Sequence, residues 1–150
     1  MELDGYQSAG IAYTPREREL IWPRLIARIE DGRLKTVTQV MNELQRNDRY
    51  AYERLSPLRK HFVLSTEGMM NGVVALLSRF PDLVRADALT ESADPWIIQA
   101  GVVHSLTIVS NEFANHERKK PGRVRIPDVC DELKKPCIKL DEFIRREGLL

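Results

Sequence analysis

"SADPWIIQAGVVHSLTIVSNE", residues 92–112, changes period part-way along. Asp94 followed by Pro95 is a helix start. An aspartate side chain can cap the first free N–H groups, and proline suits the first helical position because its missing N–H has no partner there. The apolar run that follows predicts a helix from Asp94 to about Ser105. "LTIVS", residues 106–110, then reads as a short buried strand. A helix running back down a sheet, followed by a strand climbing again, carries its first residue and the strand's end to one rim. Asp94 and Glu112 are thereby expected at the same sheet edge.

Outward from this stretch, helical and strand patterns alternate. "TPRERELIWPRLIARIEDG", residues 14–32, predicts a helix with Thr14 as cap, Pro15 at the first position and Glu17 completing a capping box. Ile21, Leu25, Ile26 and Ile29 share one face, Pro23 interrupts the run, and Gly32 ends it. "RLKTV" predicts a strand and "TQVMNELQRN" a helix capped by Thr38. "YAYERLSPLRKHFV" is mixed, with Pro57 ending one helix and opening another. "STEGMMNGVVALLSRFP" predicts a helix capped by Ser65 or Thr66. Towards the end "IPDVCDELKK" predicts a short helix, "CIKL" a strand and "DEFIRREG" a last helix stopped by Gly148. "MELD" offers a short first strand. The pattern predicts an α/β domain, a central mostly parallel sheet flanked by helices, with residues 1–150 as a single domain.

In such a sheet ligands bind outside the carboxyl ends of the strands. Asp4 would follow the first strand. Glu43 lies five residues past Thr38, about 7.5 Å up the helix leaving the second. With Asp94 and Glu112 these make four acids able to converge. Clustered carboxylates repel one another, and a hard divalent cation compensates them. Magnesium in that setting suits phosphodiester hydrolysis.

The bulk numbers are permissive. The chain has 150 residues, 43% hydrophobic and 30% charged, with net charge +1, so no global field selects nucleic acid or a membrane. No stretch approaches the roughly 20 apolar residues of a membrane span. "MELDGYQSAG" lacks the basic start of a secretory signal. Cys130 and Cys137 match no zinc spacing and read as reduced thiols, so a cytoplasmic protein is expected. His61, His104 and His116 are scattered and read as structural. Trp22 and Trp96 read as core anchors or partner contacts, and Met69 and Met70 as core or dimer surface. One local cluster stands out. Arg118, Lys119, Lys120, Arg123 and Arg125 put five positive charges into eight residues, either tracking an RNA backbone or forming a solvated loop.

Three blocks carry a resemblance: "VTQVMNEL" around Glu43, residues 92–112, and "KKPGRVRIPDVCDELKKPCIKLDEFIRREG" from Lys119 to Gly148. In order and spacing they resemble a PIN domain, closest to a PIN-like family of bacteria and archaea. The resemblance implies a three-layer PIN-like fold and a magnesium- or manganese-dependent endoribonuclease, typically the toxin of a toxin–antitoxin pair. It implies an RNA substrate, an antitoxin protein partner and a homodimer. Matched by motif, Asp4, Glu43, Asp94 and Glu112 are the catalytic, metal-holding acids, and Ser110 a supporting hydroxyl. The start departs from the pattern, because Asp4 is followed by Gly5 and Tyr6 rather than a hydroxyl and an amide. That departure gives the second expectation: a catalytically weakened PIN-like protein acting through a protein partner. A receiver-like phosphoacceptor fits worse. Asp4 stands alone where paired acids are required, and Lys139 is expected within the last strand rather than after it.

Overall fold

Helix α1 (Pro15–Glu30) forms as its sequence dictates. Thr14 Oγ1 accepts from the Glu17 N–H at 3.2 Å, and Glu17 Oε2 accepts from the Thr14 N–H at 2.7 Å, a reciprocal capping box. Ile21, Trp22, Leu25 and Ile29 are buried, and Pro23 lies inside the helix on its exposed side. Gly32, at φ +74°, takes the left-handed position after the helix, and the Arg33 N–H closes the end on the Arg28 carbonyl at 2.9 Å. The computed structural model describes residues 13–85 and 92–150. The "MELD" segment lies outside them.

The expected α/β architecture with a central, mostly parallel sheet is overturned. The described residues are 62% helix and 6% strand. Their strands form two separate two-stranded pairs, each parallel. Strand β1 (Thr36–Val37) pairs with β2 (Val63–Leu64), and β3 (Ile108–Val109) pairs with β4 (Cys137–Ile138). The reasons are local. Helix α2 (Thr38–Asn47) begins directly after Val37, so β1 has no room to extend. Pro136 precedes β4 and has no N–H for the ladder. Past β3, Ser110 Oγ accepts from the Glu112 N–H at 3.2 Å, a side-chain turn that bends the chain off the strand direction.

The described chain forms two compact units. One holds the described residues up to Leu64 together with Leu140–Leu150. Besides α1, β1, α2 and β2 it contains α3 (Arg49–Leu55), α4 (Arg59–Phe62) and the late helix α8 (Leu140–Arg146). Asp48 caps α3 by accepting from the Ala51 N–H at 3.1 Å. Thr38 is the first residue of α2 rather than its cap, and Val37 at the cap position makes no side-chain bond. The chain's end is fastened to α1. Arg24 donates to the Leu149 carbonyl at 3.2 Å, and Arg28 donates to the Glu147 carbonyl at 3.3 Å. Arg33 grips the Glu147 carboxylate with two bonds, 2.8 and 2.9 Å.

The other unit, Ser65–Lys139, holds α5 (Met70–Arg79), α6 (Asp94–His104), β3, α7 (Ile126–Leu133) and β4. Ser65 and Thr66 form a turn ahead of α5 instead of capping it; the Glu67 N–H bonds Ser65 Oγ, and the Met69 N–H bonds the Thr66 carbonyl. Met69 is core, whereas Met70 is 58% exposed. Helix α6 turns sharply into β3. Ser105 takes a left-handed conformation at φ 54°, and the Leu106 N–H donates to the Gly101 carbonyl at 3.0 Å. Gly101 is required there, because a Cβ would stand 2.8 Å from Cγ1 and Cδ1 of Ile108. Among the described residues no helix is long and apolar enough to cross a membrane.

Two outcomes follow. Gly101→Ala forces Ile108 off its seat, and denaturant unfolding is expected to show a loss of about 1–3 kcal/mol. Separately, the hydrogen bonds from Arg33 hold the Glu147 carboxyl below its ordinary range, and burial opposes them only partly. A depressed folded value contributes stability above the unfolded value that is lost as pH falls through the folded one. Glu147→Gln is therefore expected to lower Tm at pH 7, with the gap to wild type closing as pH drops below about 4.5. A gap unchanged down to pH 3 would refute this assignment.

Candidate active site

The carboxyl ends of β3 and β4 lie side by side because the pair is parallel: the Ser110 N–H donates to the Ile138 carbonyl at 2.9 Å. Ser110 follows one strand and Lys139 the other. Strand β4 stops at Ile138, so Lys139 stands just past it, correcting the expectation that it lies within the strand. Lys139 Nζ donates to the Glu112 carbonyl at 3.3 Å and to Glu117 Oε2 at 3.4 Å, and lies 4.4 Å from the centre of the Phe113 ring. The lysine therefore pins the segment after β3. Glu117 also accepts from the Ala114 N–H at 2.8 Å. That bond, with help from Lys139 and against partial burial, lowers its pKa, so Glu117 stays ionised. An open cleft of about 170 Å³ is lined by Ser110, Glu112, Glu117, Asp131, Cys137 and Lys139, among others.

Asp94 opens α6 as expected, but not as its cap. Ala93 occupies the cap position, and Ser92 Oγ accepts from the Asp94 N–H at 3.4 Å. Asp94 is thus a half-buried acid in the first helical turn, where the helix dipole favours negative charge. Helix α6 passes into β3 through the turn at Ser105, so Asp94 opens the helix, and Ser110 and Glu112 follow the strand.

The four sequence-predicted acids are distributed unevenly. Asp94 and Glu112 belong to the Ser65–Lys139 unit. Glu43 lies half-buried on α2 in the other unit. Asp4 lies outside the described residues. Among the described residues no group of three or more His, Cys, Asp or Glu side chains is arranged to hold a metal. Asp94 and Glu112 are oxygen donors of the kind that magnesium takes, and that ion keeps several waters and often uses one or two carboxylates with substrate phosphate. Glu112 already has a cationic neighbour, since Arg125 Nε lies 3.8 Å from its Oε2.

The basic loop is folded in on itself. Arg118 donates to Asn115 Oδ1 at 2.5 Å and to the Arg123 carbonyl at 3.1 Å, and pairs with Asp128 at 3.5 Å. Arg123 donates to the Leu83 carbonyl at 2.9 Å. Asp128 organises the whole segment, accepting from the N–H groups of Asn115 at 2.6 Å and Arg125 at 2.9 Å. Lys119 and Lys120 are exposed. Sequence reasoning missed Glu117, Asp131 and the placing of Lys139. A charged residue before or after a two-residue strand carries no periodic signal. His116 is exposed and pairs with Asp131 at 3.3 Å.

Residues 7–149 match the family described as a domain of unknown function, DUF4411. The chain belongs to this family. Comparison with curated proteins and with solved structures gave no match.

Asp128→Ala removes the carboxylate that accepts from both backbone N–H groups and pairs with Arg118, leaving partly buried donors unmatched. A loss of about 1–3 kcal/mol is expected in denaturant unfolding. Limited trypsin digestion should cut faster within residues 118–125. Unchanged cleavage there would show that Asp128 does not hold the loop.

Proposed function

We propose that the chain is a metal-dependent endoribonuclease, acting in the cytoplasm as the toxin of a toxin–antitoxin pair. The reading rests on the sequence of residues 92–112, not on a sheet architecture. The observation that supports it is the acidic cleft after β3, where Ser110, Glu112 and Glu117 lie beside Lys139. Asp94 and Glu112 would hold magnesium or manganese; Glu43 and Asp4 enter only as acids that the PIN-like resemblance implies. A divalent ion held there would neutralise charge developing on a phosphodiester. Ser110 fixes the backbone of Glu112, and Lys139 holds the following segment. One of the two carboxylates would take the proton of an attacking water. The exposed Lys119 and Lys120 could meet the RNA backbone.

Thermal melts with and without magnesium or manganese test the metal site. Ligand at about 100 times its Kd raises native stability by about 2.7 kcal/mol. Wild type is expected to gain, and Asp94→Asn and Glu112→Gln to lose that gain. RNA cleavage by either variant should fall by about 100-fold or more. A second reading, a PIN-like protein without catalysis that binds a protein partner, is favoured by the proximity of Arg125 to Glu112, a cation beside the acid a metal would need. No metal-dependent rise in wild type, and no cleavage with either ion, would decide for it.

A further inference from the structure

Two sulfurs near the floor of the cleft remain unused by this reading. Cys130 lies on α7 and is fully buried. Cys137 opens β4, packs partly buried against the core cluster that contains Cys130, and lines the cleft. The chain between them makes a tight reversal: Lys134 is left-handed at φ 55°, and the Lys135 N–H donates to the Cys130 carbonyl at 2.8 Å. The two thiols are hydrogen-bonded to each other.

We propose that Cys130 and Cys137 are a reversible redox pair, in which Cys137 reacts with a small hydroperoxide and Cys130 resolves the product to a disulfide. The roles follow from the surroundings. Cys137 borders open space, while Cys130 does not. The hydrogen bond from the Cys130 thiol draws the Cys137 value down, and Lys139 adds to this against burial and the negative charges of Asp131 and Glu112. The same bond and burial keep Cys130 protonated. Thiolate is the nucleophile and an accessible thiolate is the sensitive one. A cleft of about 170 Å³ admits hydrogen peroxide more readily than a bulky disulfide oxidant.

The chemistry balances without a further reagent. The Cys137 sulfur attacks one peroxide oxygen, the O–O bond breaks, and the departing hydroxide takes a proton to leave as water. This gives a sulfenic acid on Cys137. The Cys130 sulfur then attacks the Cys137 sulfur, the S–O bond breaks, and the hydroxide released takes the Cys130 proton as a second water. Two thiols are oxidised by two electrons and one peroxide is reduced to two waters. The product ties α7 to β4 beneath the Glu112 and Lys139 end of the cleft.

Trypsin cuts after Lys134, between the two cysteines, so a disulfide leaves two peptides joined. The full-length chain is treated with hydrogen peroxide, its remaining thiols are alkylated, and the digest is mapped by mass without reductant. The expected product is the Cys130–Cys137 cross-linked pair, lighter by two hydrogens than its parts and restored by dithiothreitol. In Cys130→Ala, or Cys130→Ser if the first folds poorly, Cys137 should stop at a sulfenic acid that dimedone captures. In Cys137→Ser, whose altered side chain is partly exposed, thiol loss at Cys130 should slow by at least about tenfold. Wild-type protein in which both thiols still alkylate, or in which Cys137 runs to sulfinic acid without a cross-link, would overturn the proposal. The readout is thiol chemistry alone, so it stands or falls apart from RNA cleavage.

Discussion

A missing side chain at Gly101 allows the rest of the Ser65–Lys139 unit. The last turn of α6 meets β3 there at a distance that leaves no room for a Cβ beside Ile108. That contact lets the helix reverse into a strand through a single left-handed residue, Ser105, whose non-glycine side chain costs about 1–2 kcal/mol in that conformation. The Leu106 N–H, satisfied on the Gly101 carbonyl, and the burial of Ile98 and Ile108 in one core cluster offset the strain. The end of β3, with Ser110 and Glu112 beyond it, depends on this corner, because the corner sets where the strand begins.

The first unit is closed by a different device. Its chain is discontinuous, and the late residues are held by arginines of α1 and the segment after it rather than by a strand. Leu149 is wholly buried, while Arg24 and Arg28 satisfy the carbonyls of Leu149 and Glu147. Helix ends leave carbonyls unpaired, and cationic side chains there meet both the hydrogen-bonding need and the negative end of the dipole. Arg33 then adds the bidentate grip on Glu147, a geometry that lysine could not reproduce. The two segments of the discontinuous unit are thus joined by one basic stretch between Arg24 and Arg33.

Local signals in the sequence were legible, whereas long-range pairing was not. The α1 capping box, the helix from Asp94, the α7 and α8 helices and the β3 and β4 sites all lie where periodicity and caps put them. The overturned sheet shows where such reasoning stops. "RLKTV", "LTIVS" and "CIKL" each read as a strand, but only two residues of each enter a ladder. Apolar runs of that length do not say how many partners they find, and Pro136 and the Ser110 turn act on neighbours rather than on pattern. Strand β2 was hidden for the same reason, since Val63 and Leu64 follow a helical turn directly. The site was legible in part. The rim position of Ser110 and Glu112 followed from strand order, while the inward folding of Arg118 and Arg123 depended on Asp128 and Leu83, which no local rule connects to a basic run.

Charge compensation is the remaining constraint on the acidic cleft. Glu112, Glu117 and Asp131 line a single opening, and like charges at that spacing raise one another's proton affinity unless they are countered. Lys139 counters Glu117, Arg125 stands 3.8 Å from Glu112, and His116 stands 3.3 Å from Asp131. Lys139 and Arg125 are thus the cations that the cleft supplies to its own acids. Arg125 is the least securely placed of these, since 3.8 Å exceeds hydrogen-bonding distance and its Nε has no hydrogen-bond partner. A guanidinium held by charge alone is the easiest of the three to displace. An added divalent ion would compete with Arg125 for Glu112 while leaving the Lys139 clamp on Glu117 intact. On that argument Glu112 has a more exchangeable cation than Glu117.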